Sequence, residues 1–100
     1  MRVLWTEQAF ARLAEIEDYI AADSPVTAQR FVAKLIVRAS LLARTPRMGR
    51  AVPELPESKL RELIEGNYRI VYRVHGKTVQ ILTVFERHRR FPSYDLPESK

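Results

Sequence analysis

The fold is decided by the stretch YRIVYRV at residues 68–74, in which side-chain character alternates along the chain. A period of two is typical of a β-strand, because successive side chains point to opposite faces of a sheet. Tyr68, Ile70 and Tyr72 are therefore predicted to share one face, while Arg69 and Arg73 share the other. We expect the apolar face to lie under helices and the arginine face to lie away from them.

The segments on either side of this stretch extend the same sheet. Residues 61–64 are predicted to form a strand that turns at 65–67 into the alternating one, and a tight connection at 75–77 leads to another strand. That last strand, at 78–86, is apolar on both faces, which is typical of a central strand covered on both sides.

The first half of the chain predicts a short strand and two helices. Residues 1–5 are predicted to form the strand, and Thr6 is a suitable N-cap for a helix of about 15 residues. Ser24-Pro25 restarts the chain as a second helix, because a capping hydroxyl precedes a proline at the first helical position. We expect that helix to end at Thr45-Pro46 and the two helices to pack as an antiparallel hairpin.

The order β-α-α-β-β-β predicts an α+β fold. A helical hairpin would cover one face of a twisted antiparallel sheet of about four strands, to which the first strand also belongs. Residues 46–59 hold three prolines and are predicted to be irregular. The 100 residues are predicted to form a single domain, 1–100, with a basic tail at 87–100 whose order after Pro92 stays open.

Composition excludes several classes of protein. The chain has no cysteine, so it has neither disulfides nor a thiolate metal site, and its two histidines lack metal-ligand spacing. No apolar run approaches the ~20 residues that span a bilayer, and the opening MRVLW is predicted to be a strand and not a secretory signal. We therefore expect a cytoplasmic protein without metal, cofactor or membrane partner.

Positive charge is the main functional signal. The net charge is +5, and arginine supplies most of the basic side chains. Two groups are candidates for binding an RNA, DNA or acidic-protein target: a predicted sheet face with Arg61 beside the two strand arginines, and a basic segment where the last strand ends. The candidate residues are Arg61, Arg69, Arg73, Arg87, His88, Arg89 and Arg90. The alternative for the sheet face is solvated arginines paired with Glu62, Glu65 and Glu86.

The second helix carries more apolar surface than one packing partner needs. The additional side chains are Val32, Ile36, Val37 and Leu41. A wide apolar stripe indicates either a surface that a protein partner covers, or one that the first strand or the 46–59 segment folds over.

Taken together, these motifs resemble the RelE/ParE superfamily of toxins from type II toxin–antitoxin systems. The resemblance covers nearly the whole chain and is carried by LREL at 60–63, GNYRIVYRV at 66–74 and ERHRR at 86–90. It implies one of two activities: RelE-like cleavage of mRNA on the ribosome, or ParE-like poisoning of DNA gyrase.

The resemblance also assigns candidate residues to the nuclease branch. Arg69 matches the arginine that this branch carries within the tyrosine–arginine segment. Arg87 lies where the branch has a second arginine further along the chain, and Tyr94 lies roughly where it has a C-terminal tyrosine. The lysines that this branch carries on the preceding strand are missing, since Arg61 and Glu62 occupy that region, and an arginine does not serve as a general base. The longer first helix and the proline-rich segment are closer to ParE, so we expect gyrase poisoning and no catalytic residue.

Both branches imply a protein partner. The resemblance implies a ParD-like antitoxin whose C-terminal segment masks the toxin, and contact with promoter DNA only through that antitoxin. A third hypothesis is a family member that binds its antitoxin but is no longer toxic.

Overall fold

A computed structural model describes residues 1–97 of the chain. These 97 residues form two α-helices, five β-strands and two short 3-10 turns. In chain order the main elements are β1 (Arg2–Trp5), α1 (Glu7–Ala21), α2 (Pro25–Ser40), β2 (Arg50–Ala51), β3 (Arg61–Glu65), β4 (Tyr68–His75) and β5 (Thr78–Glu86), with 3-10 turns at Leu41–Ala43 and Ser93–Asp95.

Both helices begin where the sequence predicted. The Thr6 hydroxyl accepts a hydrogen bond from the backbone N–H of Ala9, and the Ser24 hydroxyl does the same for Thr27 at the start of α2. Each bond satisfies one of the free N–H groups at a helix N-terminus. The second helix ends at Ser40, five residues before Thr45, because the chain tightens there into a 3-10 turn.

The five strands form one sheet in the order β1-β5-β4-β3-β2. Neighbouring strands are antiparallel except that β1 runs parallel to β5, where Arg2 lies opposite Thr78 and Trp5 opposite Ile81. The predicted α+β fold with a helical hairpin on a mainly antiparallel sheet is confirmed. The two-residue strand β2 and the parallel pairing of β1 were not predicted.

The sheet is buried on both faces. Under the helices, Ile70, Tyr72 and Val84 pack with Leu13 and Leu35 in the main core. On the opposite face Val71 and Phe85 form a second core with Val52, and the apolar side chains that close it come from the proline-rich segment and the C-terminal segment. Those are Leu55, Leu60, Phe91 and Leu96.

A bulge interrupts the pairing of the two central strands, β4 and β5. Val71 lies opposite Thr83 and Tyr72 opposite Ile81, so Leu82 is an extra residue in β5. An inserted residue shifts the alternation of the strand, and Leu82 is nevertheless buried.

The proline-rich segment is fixed to the sheet by Tyr72. The Tyr72 hydroxyl donates to the carbonyl of Pro46 at 2.7 Å and accepts from the N–H of Gly49 at 2.9 Å. A Cβ at position 49 would lie 2.6 Å from the carbonyl oxygen of Glu62, so only glycine allows this close approach. The segment therefore covers the sheet although it has almost no regular structure.

Candidate functional site

Arg69 lies at the centre of a buried ion-pair network on the face opposite the helices. Its Nε donates to Glu62 at 2.7 Å, and its two terminal nitrogens donate to Glu54 at 2.8 and 2.6 Å. Glu62 also binds Arg50, at 2.7 Å from Nε. All the side-chain hydrogen bonds that Arg69 donates within residues 1–97 go to carboxylates. Its positive charge is therefore neutralised within the fold.

Aromatic rings complete the enclosure of Arg69. The guanidinium carbon lies 4.8 Å from the ring centre of Phe85 and 5.6 Å from that of Phe91, both within cation–π range. Only 6% of Arg69 is exposed. Hydrogen bonds with Glu54 raise the pKa of Arg69, and the same contact lowers the pKa of Glu54. The prediction that Arg69 lies opposite the apolar face was right, but it is covered there and paired with Glu62.

The other two arginines predicted for that face have different positions. Arg73 is half-buried, and its Nε donates to the side chain of Gln80 at 2.7 Å. Arg61 lies directly opposite Tyr72, on the helix face, where it donates to the carbonyl of Gly49 at 2.7 Å. The prediction that Arg61 stands beside Arg69 and Arg73 was wrong, because its register with β4 turns it to the other face.

The basic segment Arg87–Arg90 is fully on the surface. It begins where β5 ends, and the N–H of Arg87 donates to the carbonyl of Asn67 in the turn between β3 and β4 at 2.7 Å. All four side chains, including His88, are exposed. Within residues 1–97 none of them forms an ion pair. This segment is therefore a basic surface at which an acidic or phosphorylated group could bind without breaking an ion pair.

The C-terminal segment is fastened to α1 by a buried aspartate. Asp95 accepts two hydrogen bonds from Arg12, at 2.7 and 2.9 Å, and one from the hydroxyl of Thr83 at 3.0 Å. The hydrogen bonds with Arg12 lower the pKa of Asp95. Tyr94, next to it, is 78% exposed and lies over the same arginine, 5.7 Å from ring centre to guanidinium carbon.

The three residues matched to the nuclease branch each have different partners in the structure. Arg69 lies under Phe91 and holds two carboxylates, while Tyr94 contacts Arg12 of α1. Arg87 is anchored by its backbone at the β3–β4 turn. Among the hydrogen bonds of residues 1–97, none joins any two of these three side chains.

The apolar surface predicted on α2 is present in part. Val37 is 61% exposed, and Ile36 and Leu41 are 43% and 48% exposed. Val32 differs, because it is half-buried against the main core between the helices. The first strand and the 46–59 segment therefore leave three of these four side chains uncovered.

Sequence reasoning named Glu62 as a possible partner of the sheet-face arginines but missed two other carboxylates that bind arginines, Glu54 and Asp95. Glu54 is in a segment without periodicity, and Asp95 is in a tail predicted only as basic and polar. Glu62 gave a signal, since an acidic residue in a strand next to a strand arginine is a natural partner. Arg12 gave none, because its partner lies 83 residues further along the chain.

Residues 1–97 offer neither a membrane-spanning helix nor a metal site. Within residues 1–97 no helix is long and apolar enough to cross a bilayer. Nor does that part of the chain bring together three histidine, cysteine, aspartate or glutamate side chains as a metal site would require.

Comparison with known proteins identifies the class. The family model described as ParE toxin of type II toxin-antitoxin system, parDE, matches residues 3–91. The chain is 40% identical over 93 residues to "Putative toxin Y4kP" of Sinorhizobium fredii, covering 91% of this chain and 93% of that one. It is 39% identical over 84 residues to toxin RelE2 of Caulobacter vibrioides, covering 83% and 91%.

Solved structures give the same result. The chromosomal ParDE toxin–antitoxin system from P. aeruginosa matches with a TM-score of 0.71 at 28% identity, over 86% of this chain and 95% of that one. The RelBE2 toxin–antitoxin complex from Mycobacterium tuberculosis matches with a TM-score of 0.64 at 27% identity, over 86% and 96%. The fold is that of the RelE/ParE superfamily of toxins. The chain belongs to the ParE toxin family of type II toxin–antitoxin systems.

Proposed function

We propose that this toxin acts by poisoning DNA gyrase, as a binding protein without a catalytic centre of its own. The observation that carries the proposal is the burial of Arg69, the arginine that the nuclease branch would use. A side chain that is 6% exposed and bound to two carboxylates does not reach a scissile phosphate. Releasing it would expose the second core and leave Glu62 without one of its two cations.

The exposed segment Arg87–Arg90 is the candidate target-binding surface. Arginine presents a planar fork that binds carboxylates and phosphates bidentately. The side chains of Arg87–Arg90 form no ion pair within residues 1–97. A target can therefore bind them without first breaking an ion pair inside the protein. Arg73 would make a smaller contribution to target binding, because it is half-buried whereas the side chains of Arg87–Arg90 are exposed.

A ParD-like antitoxin is the partner that we propose for the exposed face of α2. One of the similar structures is described as the toxin–antitoxin complex RelBE2, and another as a ParDE toxin–antitoxin system. Ile36 and Val37 of α2, with Leu41 of the 3-10 turn that follows it, offer exposed apolar side chains of the kind that an amphipathic partner helix covers. Promoter DNA would be contacted through that antitoxin, and the toxin would act in the cytoplasm, where gyrase is found.

A gyrase cleavage and supercoiling assay, run beside a ribosome-programmed mRNA cleavage assay, tests the proposal. Accumulation of linear, protein-linked DNA with intact mRNA is the expected result. Cuts in the mRNA with gyrase unaffected would overturn it and restore Arg69, Arg87 and Tyr94 as catalytic candidates; the similarity to a protein named toxin RelE2 makes this the alternative to test. Activity in neither assay would indicate a family member that only binds its antitoxin.

A further inference from the structure

Two exposed tyrosines line a groove between α1, the end of β5 and the C-terminal segment. The groove has a volume of about 270 Å³. Its tyrosines are Tyr19 of α1 and Tyr94 of the C-terminal segment, and they are 74% and 78% exposed. Within residues 1–97 neither ring is paired with another aromatic ring. Both are therefore available to stack on a planar group of a ligand.

This groove lies on the helix side of the sheet, away from the buried network around Arg69. Tyr68 and Val84 also line the groove, and both pack with the main core under the helices. Arg69 is instead covered by Phe91 on the opposite face. The groove is thus a different place from the one that a nuclease arginine would occupy.

The exposed lining of the groove is aromatic and charged, with no aliphatic anchor. Its aliphatic residues Ile16 and Val84 are 8% and 1% exposed, so a ligand meets the tyrosines and charged side chains instead. Protein interfaces usually have an apolar centre, as the exposed face of α2 does and this groove does not. A volume of about 270 Å³ is also below the ~300–1,000 Å³ of small-molecule sites. The groove therefore suits part of a longer polar ligand.

The free charges in the groove have both signs. Arg12 binds two of its carboxylates. The other charged side chains that line it, Arg89, Arg90 and Glu86, form no ion pair within residues 1–97. Burial raises the pKa of Tyr68, and the nearby Glu86 carboxylate raises it further. A nucleic acid strand matches both signs, because arginine binds its phosphates and a carboxylate accepts from base amino groups.

The spacing of the two tyrosines fits a short strand and not a single nucleotide. Tyr94 lies over Arg12, and positions 12 and 19 of α1 are about 10 Å apart at ~1.5 Å per residue. Successive nucleotides of one strand are ~3.4 Å apart along a stacked helix, so this distance corresponds to about three of them. Bases expose their faces to tyrosine rings only where they are unpaired, so the strand has to be single.

We propose that this groove binds a single strand of DNA, with bases stacked on Tyr19 and Tyr94 and phosphates bound by Arg89 and Arg90. The proposal deepens the proposed function and rests on it for the source of the strand, since DNA held cleaved by a poisoned gyrase has strand ends. RNA has the same phosphates and similar bases, and its 2′-hydroxyl is the chemical difference by which the two sources are distinguished.

Fluorescence anisotropy of labelled octadeoxycytidine with the full chain tests the stacking. Tyr19→Ala and Tyr94→Ala should each weaken binding about tenfold, the effect of losing one base-stacking contact. Tyr19→Phe and Tyr94→Phe keep the rings and should bind within about twofold of the wild type. Phe10→Ala removes an exposed ring of α1 that does not line the groove, and should also stay within about twofold.

A matched pair of double variants separates phosphate binding from net charge. Arg89→Ala with Arg90→Ala removes the two groove arginines, whereas Arg30→Ala with Arg44→Ala removes two exposed arginines elsewhere. The first pair should weaken binding about tenfold or more. It should also reduce the slope of log affinity against log salt by about 1.4, at ~0.7 for each phosphate contact of a single strand. The second pair should leave that slope unchanged.

Four outcomes would overturn the proposal. They are absence of octadeoxycytidine binding, full binding by Tyr19→Ala and Tyr94→Ala, equal losses in the two arginine pairs, and tighter binding of an octaglutamate peptide than of the oligonucleotide. Octacytidine RNA that binds more than tenfold tighter than the DNA would assign the groove to RNA and overturn the choice of DNA.

Failure of this site and failure of the proposed function are distinguishable, because the anisotropy measurement does not involve gyrase. Oligonucleotide binding with gyrase unaffected would contradict the gyrase proposal alone. Gyrase poisoning without oligonucleotide binding would contradict the groove alone.

Discussion

Arg69 and the segment Arg87–Arg90 contain the same type of residue in opposite environments. Arg69 is in the middle of β4, covered by the proline-rich and C-terminal segments and bound to Glu54 and Glu62. The segment Arg87–Arg90 is exposed at the end of β5. An arginine can be buried in the core where the fold places carboxylates beside it. An arginine without such partners stays on the surface, where it is available to bind another molecule.

The largest expected effect on stability comes from removing the buried arginine, Arg69. Replacing Arg69→Met leaves Glu62 buried with only Arg50, whose side chain is more than half exposed, as its cation. Breaking a buried ion pair by removing one partner costs about 3–5 kcal/mol of the free energy of unfolding. Urea denaturation of the wild type and the variant measures the difference.

A double variant distinguishes lost charge pairing from lost packing. Arg69→Met combined with Glu62→Leu removes the stranded carboxylate together with its partner, and should recover most of the stability. A double variant as unstable as the single one would contradict the view that the network is an isolated electrostatic unit.

A smaller effect is expected where a single carboxylate holds the C-terminal segment. Asp95→Asn weakens two hydrogen bonds from Arg12, and should lower the free energy of unfolding by about 2 kcal/mol. Tyr94→Ala, at the exposed neighbouring position, is the control and should stay within about 0.5 kcal/mol. Thermal unfolding of both variants tests whether the aspartate and not the tyrosine fixes this segment.

The same carboxylates predict how stability depends on pH. The pKa values of Asp95 and Glu54 are lowered in the fold by their hydrogen bonds with arginine. In the unfolded chain such groups titrate near ~3.9 and ~4.3, so the stability that they contribute is fully present above those values. It should be lost as the pH falls through the lower folded values, because the unfolded state then binds more protons.

Denaturant titrations between pH 6 and pH 2 check this dependence. Asp95→Asn should flatten the acid side of the profile, whereas Arg87→Ala should leave its shape unchanged. A profile that is identical in Asp95→Asn and the wild type would show that this carboxylate does not contribute.

The smallest effect on stability is expected from substitutions in the exposed segment Arg87–Arg90. Arg87→Ala with Arg89→Ala removes two arginines that form no ion pair in the described chain, and should change the free energy of unfolding by less than about 0.5 kcal/mol. Growth arrest and gyrase cleavage should nevertheless be lost. A fully toxic double variant would remove this segment from the proposed function.

The fold was predictable wherever the chain has a period. The alternation at 68–74 correctly separated Tyr72 from Arg69, and the capping residues Thr6 and Ser24 correctly marked both helix starts. These signals are local, since the neighbours that they depend on lie within a few residues.

The candidate site was less predictable, because its contacts join distant parts of the chain. Nothing in residues 46–59 indicates that Val52 and Leu55 would close over a strand, and periodicity does not report what lies above a sheet face. Arg61 was assigned to the wrong face for a similar reason, since its orientation depends on register with β4. The basic segment at 87–90 was found because neighbouring like charges are visible in the sequence.

The parallel pairing of β1 with β5 has a consequence for the order of folding during synthesis. Arg2 pairs with Thr78, so the sheet is not complete until almost the whole chain has left the ribosome. Contacts between residues so far apart in sequence slow folding, because a long loop must close before they form. A nascent chain therefore lacks the pairing of its first strand for most of its synthesis, and the sheet closes only after β5 has been made.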